Sequence, residues 1–336
     1  MTPSYFSLGS TSRQQVDGLT AALLDRTRSR ETQDAMEEIV LAAHELPSDL
    51  RRALTRFRFR DKGPGALVID NLPIEPDSLG PTPAHWREAA HTPRENCLLL
   101  LMSALLGDVF GWATQQDGKL VHDVLPIQAH EDEQLGSGSK ELLALHTEDA
   151  FHPYRPDFVA LLCLRNPQAV PTHISFLEDV SLSAPVMEAL FEDAYAIIPD
   201  ISHSPVHNTE GLASFDFIDE LKDAPRPVSI LYGSKNAPYL RYDPYYTLPP
   251  TQKRHRQALA RLEEELERHV QHVRLSAGQL LLIDNARAVH GRAPFTARYD
   301  GTDRWLKRGC LTLDLGKSRA QRTDESCRLI GGEVHA

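Results

Sequence analysis

Apolar positions along the chain follow two rhythms. Near the start, Val16, Leu19, Ala22 and Leu23 recur at helical spacing, which predicts a helix over 12–30, followed by a second over 33–44. A basic stretch predicts a third over 50–58. Its arginines read as a solvated face, because no glycine-rich phosphate loop accompanies them. Gly63-Pro64-Gly65 breaks the chain ahead of an apolar strand at 66–70, and prolines at 73, 76, 81, 83 and 93 mark 73–95 as a surface loop. Residues 96–106 are apolar nearly all round, the pattern of a helix buried against a sheet. A strand then begins at 109 and leads to Gln115. Beyond it short apolar runs dominate, at 142–145, 157–165, 172–176, 227–232, 238–242, 273–283 and 304–314, with helices near 184–192 and over 251–272. Many short strands, with helices mainly before and between them, predict a mainly β fold: a double-sheet jelly roll flanked by helices.

The pattern reads as a single domain, 1–336, with a mostly helical part over 1–60 packed on the core. Residues 120–141 are polar and rich in glycine and serine, and they lie just ahead of the strand that carries the chemistry below. That makes them a candidate lid. The last ~20 residues are polar and are expected to be loosely held. His130 with Glu131 and Asp132 forms a metal-binding cluster on paper, but a flexible acidic loop is a poor preorganised site.

Composition narrows the partners. The 36 basic and 47 acidic residues give a net charge of −11, which argues against nucleic acid or an anionic membrane and suits a cationic small molecule. No run reaches the roughly 18 apolar residues a membrane helix needs, and the start lacks a basic region leading into an apolar core, so a cytoplasmic location is expected. Cys97, Cys163, Cys310 and Cys327 lie far apart without a C-x-x-C pair, and read as reduced thiols. Nothing in the pattern fixes an oligomeric state.

The chemistry centres on His146-Thr147-Glu148, which ends the apolar run at 142–145. If that run is a strand, alternation puts His146 and Glu148 on one face. An imidazole and a carboxylate so placed can take adjacent positions on a divalent ion, and a second histidine would complete a two-His-one-carboxylate face. His290 offers it, beyond the apolar run ending at Ile283 and the Asp284-Asn285 pair. Arg304 lies 14 residues further on, so the next strand can return a guanidinium beside the site. Taken alone, His-x-Glu is also the mark of a hydrogen-bonded strand end.

The motifs together resemble the clavaminate-synthase-like branch of the Fe(II)/2-oxoglutarate dioxygenases, in particular the hydroxylases of free arginine, lysine and related basic amino acids. The residues that carry the resemblance are His146-Thr147-Glu148-Asp149-Ala150-Phe151, Gly111-Trp112-Ala113-Thr114-Gln115-Gln116-Asp117-Gly118, Ile283-Asp284-Asn285, Val289-His290-Gly291-Arg292, and Arg298-Tyr299-Asp300-Gly301 with Asp303-Arg304-Trp305-Leu306-Lys307-Arg308. They run in the family's order over most of the chain. The resemblance implies a double-stranded β-helix (jelly roll, cupin-like) core, Fe(II) on His146, Glu148 and His290, and 2-oxoglutarate with its distal carboxylate on Arg304, helped by Thr172. It implies O2 as co-substrate and hydroxylation of a free amino acid, in secondary metabolism such as antibiotic biosynthesis. Gln115 and Arg308 would meet the substrate's amino and carboxylate ends, with Glu148 also near the ammonium, and Asp243 would meet its side-chain cation. Some arginine-specific relatives carry a second acidic residue where this chain has Tyr245, so arginine, lysine, citrulline and cyclic guanidino amino acids all stay open. The rival readings are an oxygenase of a neutral or carrier-bound amino acid, a zinc-dependent jelly-roll enzyme on the same three ligands, and a catalytically silent binding protein.

Overall fold

The computed structural model describes residues 1–27, 32–59, 63–89, 92–208, 215–323 and 327–331. Its helices are α1 (Ser10–Thr27), α2 (Thr32–Ala43), α3 (Ser48–Arg58), α4 (Pro93–Ser103), α5 (Ala184–Leu190), α6 (Asp216–Asp223) and α7 (Lys253–Arg268). The strands of the first half are β1 (Ser4–Ser7), β2 (Ala66–Asp70), β3 (Asp108–Trp112), β4 (Val121–Val124), β5 (Leu143–His146), β6 (Phe158–Arg165) and β7 (Thr172–Phe176). Those of the second are β8 (Tyr195–Ile197), β9 (Pro227–Val228), β10 (Leu231–Ser234), β11 (Ala237–Leu240), β12 (Thr247–Leu248), β13 (Gln271–Val273), β14 (Leu280–Asp284), β15 (Ala288–Arg292), β16 (Trp305–Thr312) and β17 (Leu329–Ile330).

Two sheets make the jelly roll. The larger runs β1-β2-β14-β6-β16-β3-β17, with β4 also on β16, and the smaller runs β13-β7-β15-β5. The expected fold class is therefore the observed one. Alternation explains why β6 and β14 read as unbroken apolar runs. Phe158, Ala160, Leu162 and Leu164 of β6, with Leu280 and Leu282 of β14, pack under the N-terminal helices. Val159, Leu161 and Cys163, with Leu281 and Ile283, instead meet Ile174, Phe176 and Ala288 of the smaller sheet. Both faces of the larger sheet are thus covered, and no polar position is left to mark the period. On the far side of the smaller sheet, Leu190 of α5 and Leu262 and Leu266 of α7 pack with Tyr242 and Val289.

Several expectations need correction. Residues 121–124 are not part of a lid: they form β4, because Asp123 accepts from the Trp305 indole at 2.8 Å and pairs with Lys307 at 2.5 Å, so its charge is satisfied inside the fold. Residues 251–272 and 273–283 resolve into α7, β13 and β14, separated by a turn at Gly278. That glycine has φ +82°, and a Cβ there would meet the Leu72 carbonyl oxygen at 2.7 Å. The tail is tied rather than loose at 327–331, where β17 pairs in parallel with β3 and Arg328 Nη1 donates to Asp108 at 3.0 Å. The strands β1, β8 and β12 and helix α6 are too short to establish a period.

The pairing of β15 with β7 and β5 delivers the site. His290 stands opposite His146 across the β15–β5 ladder. Beside it, a Cβ on Gly291 would lie 2.5 Å from the Leu143 carbonyl oxygen, so the two strands approach closely only because the side chain is missing. Gly291→Ala is expected to cost about 1–3 kcal/mol by overpacking and to weaken binding of a divalent ion at His146 and His290. Thermal melts and metal titration of the variant check both effects.

Candidate active site

The sequence placed His146 and Glu148 on one strand face, whereas in the structure β5 ends at His146 and Glu148 lies in the turn beyond it. Their convergence depends on the residues around them. Thr147 is turned away and fully buried, its amide donating to the Tyr242 carbonyl at 2.7 Å and its hydroxyl accepting from the Tyr242 amide at 3.0 Å. Asn285 then clamps the next residue: its Oδ1 accepts from the Glu148 amide at 2.7 Å, and its Nδ2 donates to the carbonyls of Glu148 (3.1 Å) and Pro156 (2.9 Å). Asp149 follows with φ +49°, and its carboxylate accepts from the Trp112 indole at 2.6 Å and lies 3.1 Å from His203 Nε2. The Asp284-Asn285 and Trp112 motifs are thus the brackets of the metal turn.

One ligand atom from each of His146, Glu148 and His290 lies within 4.8 Å of the others. The two rings are 4.5 Å apart between centroids, and His290 Nε2 is 3.3 Å from Glu148 Oε2. His146 Nδ1 donates to the Ala144 carbonyl at 2.8 Å, which leaves Nε2 with a lone pair toward the site. Burial alone would push the Glu148 carboxyl up, but the Arg308 guanidinium paired with it, together with His290 and His146, holds it well below the usual carboxylate range. Burial, with His146 beside it, lowers the pKa of His290. An anionic carboxylate and two neutral imidazoles are the forms that bind a divalent ion, so the residues fit the Fe(II) that the sequence implied.

Arg304 and Arg308 enter the same pocket from one side of β16, four residues apart. Arg308 already has an anion: besides pairing with Glu148, its Nη2 donates to Gln115 Oε1 at 3.0 Å and lies 2.6 Å from His122 Nδ1, and its Nε alone has no partner among the described residues. Gln115 is the less direct candidate, since it is absent from the pocket wall and its Nε2 donates to Ser202 at 2.5 Å, behind Arg308. Arg304 is the opposite case. It is buried, burial draws its pKa down to about 10, and its Nη2 donates a long hydrogen bond to Thr172 Oγ1 at 3.4 Å. Among the described residues no carboxylate pairs with it, and its Nε has no partner. A guanidinium buried without an anion fits a ligand carboxylate, which is what 2-oxoglutarate would bring.

Asp243 also lines this pocket. Its Oδ1 accepts from the amides of Tyr245 and Tyr246, each at 3.0 Å, so it is a turn former and a pocket residue together. Burial raises its pKa to about 6. Sequence reading missed Asp200 and Ser202, which line the pocket with Asp243, and Gln134 and Leu135, which line it from the polar segment. A lone aspartate ahead of a short turn carries no signal for Asp200, but the polar segment was marked by position. Arg292, inside a quoted motif but given no role, anchors that segment by donating to the carbonyls of Gly138 and Glu141.

Comparison with known proteins agrees with this geometry. Residues 206–310 match the model of the taurine catabolism dioxygenase TauD, TfdA family. The chain is 44% identical over 306 residues to an L-ornithine/L-arginine 3-hydroxylase of Catenulispora acidiphila, covering 87% of this chain and 89% of the relative. It is 40% identical over 331 residues to an enduracididine beta-hydroxylase of Streptomyces hygroscopicus, covering 94% and 96%. Among solved structures, the non-heme iron oxygenase OrfP in complex with Fe, succinate and (3S)-hydroxy-L-Arg superposes with a TM-score of 0.93 at 44% identity, over 98% of this chain and all of that one.

Removing the Asn285 clamp tests the construction of the turn. Asn285→Ala leaves the buried amide of Glu148 unpaired and is expected to destabilise the fold by roughly 2–4 kcal/mol. Thermal melting measures the loss, and divalent-metal affinity should fall with it.

Proposed function

The chain belongs to the TauD, TfdA dioxygenase family, in its branch of free amino acid hydroxylases, and from that premise we propose how its residues divide the work. It is a non-haem Fe(II)/2-oxoglutarate-dependent hydroxylase of a free basic L-amino acid, with arginine or a guanidino relative as the favoured substrate and lysine next. His146, Glu148 and His290 hold the iron, and Arg304, with the Thr172 hydroxyl, receives the distal carboxylate of 2-oxoglutarate. The observation that carries this reading is the convergence of the three ligands in one pocket with a buried, unpaired Arg304 and the carboxylate of Asp243.

When bound, the iron supplies the oxidising chemistry, in which O2 and 2-oxoglutarate give succinate, CO2 and a hydroxylated side-chain carbon. The protein's own residues position and exclude. Arg308 takes the substrate's α-carboxylate and Glu148 lies at its ammonium, while Gln115, off the pocket wall, orients Arg308 through its Oε1. Asp243 pairs with the side-chain cation through Oδ2, since its Oδ1 is occupied by backbone amides. Asp200 adds a second negative charge on the facing wall. The segment 125–141 is the lid, and Gln134 and Leu135 keep water from the reacting carbon. The whole chain is taken as one oxygenase domain. A role in secondary metabolism such as antibiotic biosynthesis is part of the same reading, as is a cytoplasmic location, which the four free cysteines suit. No described helix is long and apolar enough to cross a membrane.

Anaerobic reconstitution with Fe(II), followed by O2 and 2-oxoglutarate, tests the reading. Arginine should release succinate in step with a gain of one oxygen mass. Turnover without O2 would favour the zinc-dependent alternative instead. Asp243→Asn should lower kcat/KM for arginine about 10- to 150-fold, the worth of one charged hydrogen bond, and leave citrulline nearly unaffected. An equal loss for both would remove the cation role of Asp243. Arg304→Lys, which loses the two-pronged grip, is expected to raise KM for 2-oxoglutarate at least about tenfold.

A further inference from the structure

Outside the active site a second cluster of metal-binding side chains bridges two loops. His130 closes the short helical turn Gln128–His130, Glu133 lies three residues on, and His207 follows the turn Ile201–His203 on the other wall of the pocket. One ligand atom from each lies within 4.8 Å of the other two. The imidazoles of His130 and His207 meet edge to face with centroids 4.5 Å apart, and His207 Nε2 is 3.4 Å from Glu133 Oε2. That carboxylate oxygen is buried and has no hydrogen-bond partner. The sequence pointed instead to Glu131 and Asp132 as the partners of His130, but both turn toward Lys140.

We propose that His130, Glu133 and His207 form a second divalent-cation site, suited to Zn2+, that latches the 125–141 segment to the 200–207 segment over the pocket. Two imidazoles and one carboxylate, with water in the fourth position, make an ordinary tetrahedral zinc donor set. The ligands are prepared for it. His130 Nδ1 is 2.9 Å from Ser137 Oγ, a bond that orients the ring and leaves Nε2 to bind. The loop is preformed as well: a Cβ on Gly138 would lie 2.4 Å from the Glu133 carbonyl oxygen, a fold closed on itself that only glycine allows. The consequence follows from what each loop carries. Gln134 and Leu135 stand beside Glu133, while Asp200 and Ser202 precede His207, and all four line the substrate pocket. An ion at the cluster therefore joins the two walls at a place where no substrate sits.

Titration of the metal-free, full-length protein with Zn2+ tests the site without reference to turnover. Wild type should bind two ions, His146→Ala/His290→Ala one, and His207→Ala and Glu133→Gln one each. A single ion in wild type, none in His146→Ala/His290→Ala, or two in both His207→Ala and Glu133→Gln would overturn the site. Circular dichroism melts without metal show which variants fold, and the conservative Glu133→Gln stands if His207→Ala does not. For the latch, amide hydrogen exchange across 128–141 in His146→Ala/His290→Ala should slow at least tenfold on adding Zn2+, and should not change when Glu133→Gln is added to that variant. Binding of the ion with unaltered exchange would refute the latch.

Discussion

The structure is organised around keeping the Glu148 carboxylate ionised while nearly all of it is out of water. Isolated, such a charge would be driven to its neutral form by burial. Arg308, His290 and His146 reverse that outcome, and each comes from a different strand. β16 must run beside β6 to bring Arg308 in, and β15 must lie against β5 to bring His290 opposite His146. Loss of either pairing would strand a buried charge. Sheet register and site electrostatics are therefore one constraint, and the turn after β5 is fixed from both ends by Thr147 and Asn285 so that it can be met.

Much of this could be read from the sequence because the informative residues are chemically unusual for their positions. A histidine and a glutamate ending an apolar run, and two arginines four apart at the start of another, have no comfortable place in an ordinary core. That strangeness drew attention to His146, Glu148, His290 and Arg304 as a group, whereas Arg308 was marked only by the family resemblance. Where polar groups find partners inside the fold, the pattern misleads. His122 and Asp123 looked like the beginning of a solvated loop, yet Arg308, Trp305 and Lys307 satisfy them within the sheet. The strand β4 was hidden for that reason, and Asp200 and Ser202 were hidden because nothing local separates them from any turn.

Arg304, just ahead of β16, and Arg308 within it show how one stretch of chain can serve opposite needs. Side chains at 304, 306 and 308 face the interior between the sheets, and those at 305 and 311 pack under the helices. Arg308 has its charge balanced by Glu148 and is oriented by Gln115 and His122, while its Nε keeps no partner among the described residues. Arg304, beyond these partners, has only a distant threonine hydroxyl. A buried guanidinium in that condition costs stability in the ligand-free protein, and a carboxylate arriving from solvent removes the cost. With Arg304 in its proposed role, affinity for an α-keto diacid is the recovery of a penalty taken at folding. This accounts for Arg304 being left without an anion among the described residues while Arg308 has Glu148.

The same reasoning bears on how selective the pocket is for a cation. Asp243 is held by two backbone amides on one oxygen, which fixes its direction, but burial raises its pKa to about 6, so without a cation its charge is only weakly held near neutral pH. A guanidinium or ammonium stabilises the ionised form, whereas a neutral amide or urea group gives no such return. Asp200 sits on the same pocket wall system and raises the cost of the unliganded anion further, as the repulsion between the two carboxylates requires. On the proposed assignment of Asp243, selectivity for a basic side chain rests on charge accumulated in a dry pocket as much as on any one hydrogen bond. A single aspartate clamp supplies that without fixing the spacing of a two-pronged guanidinium grip. A pocket built this way discriminates strongly by charge and weakly by the shape of the cationic group.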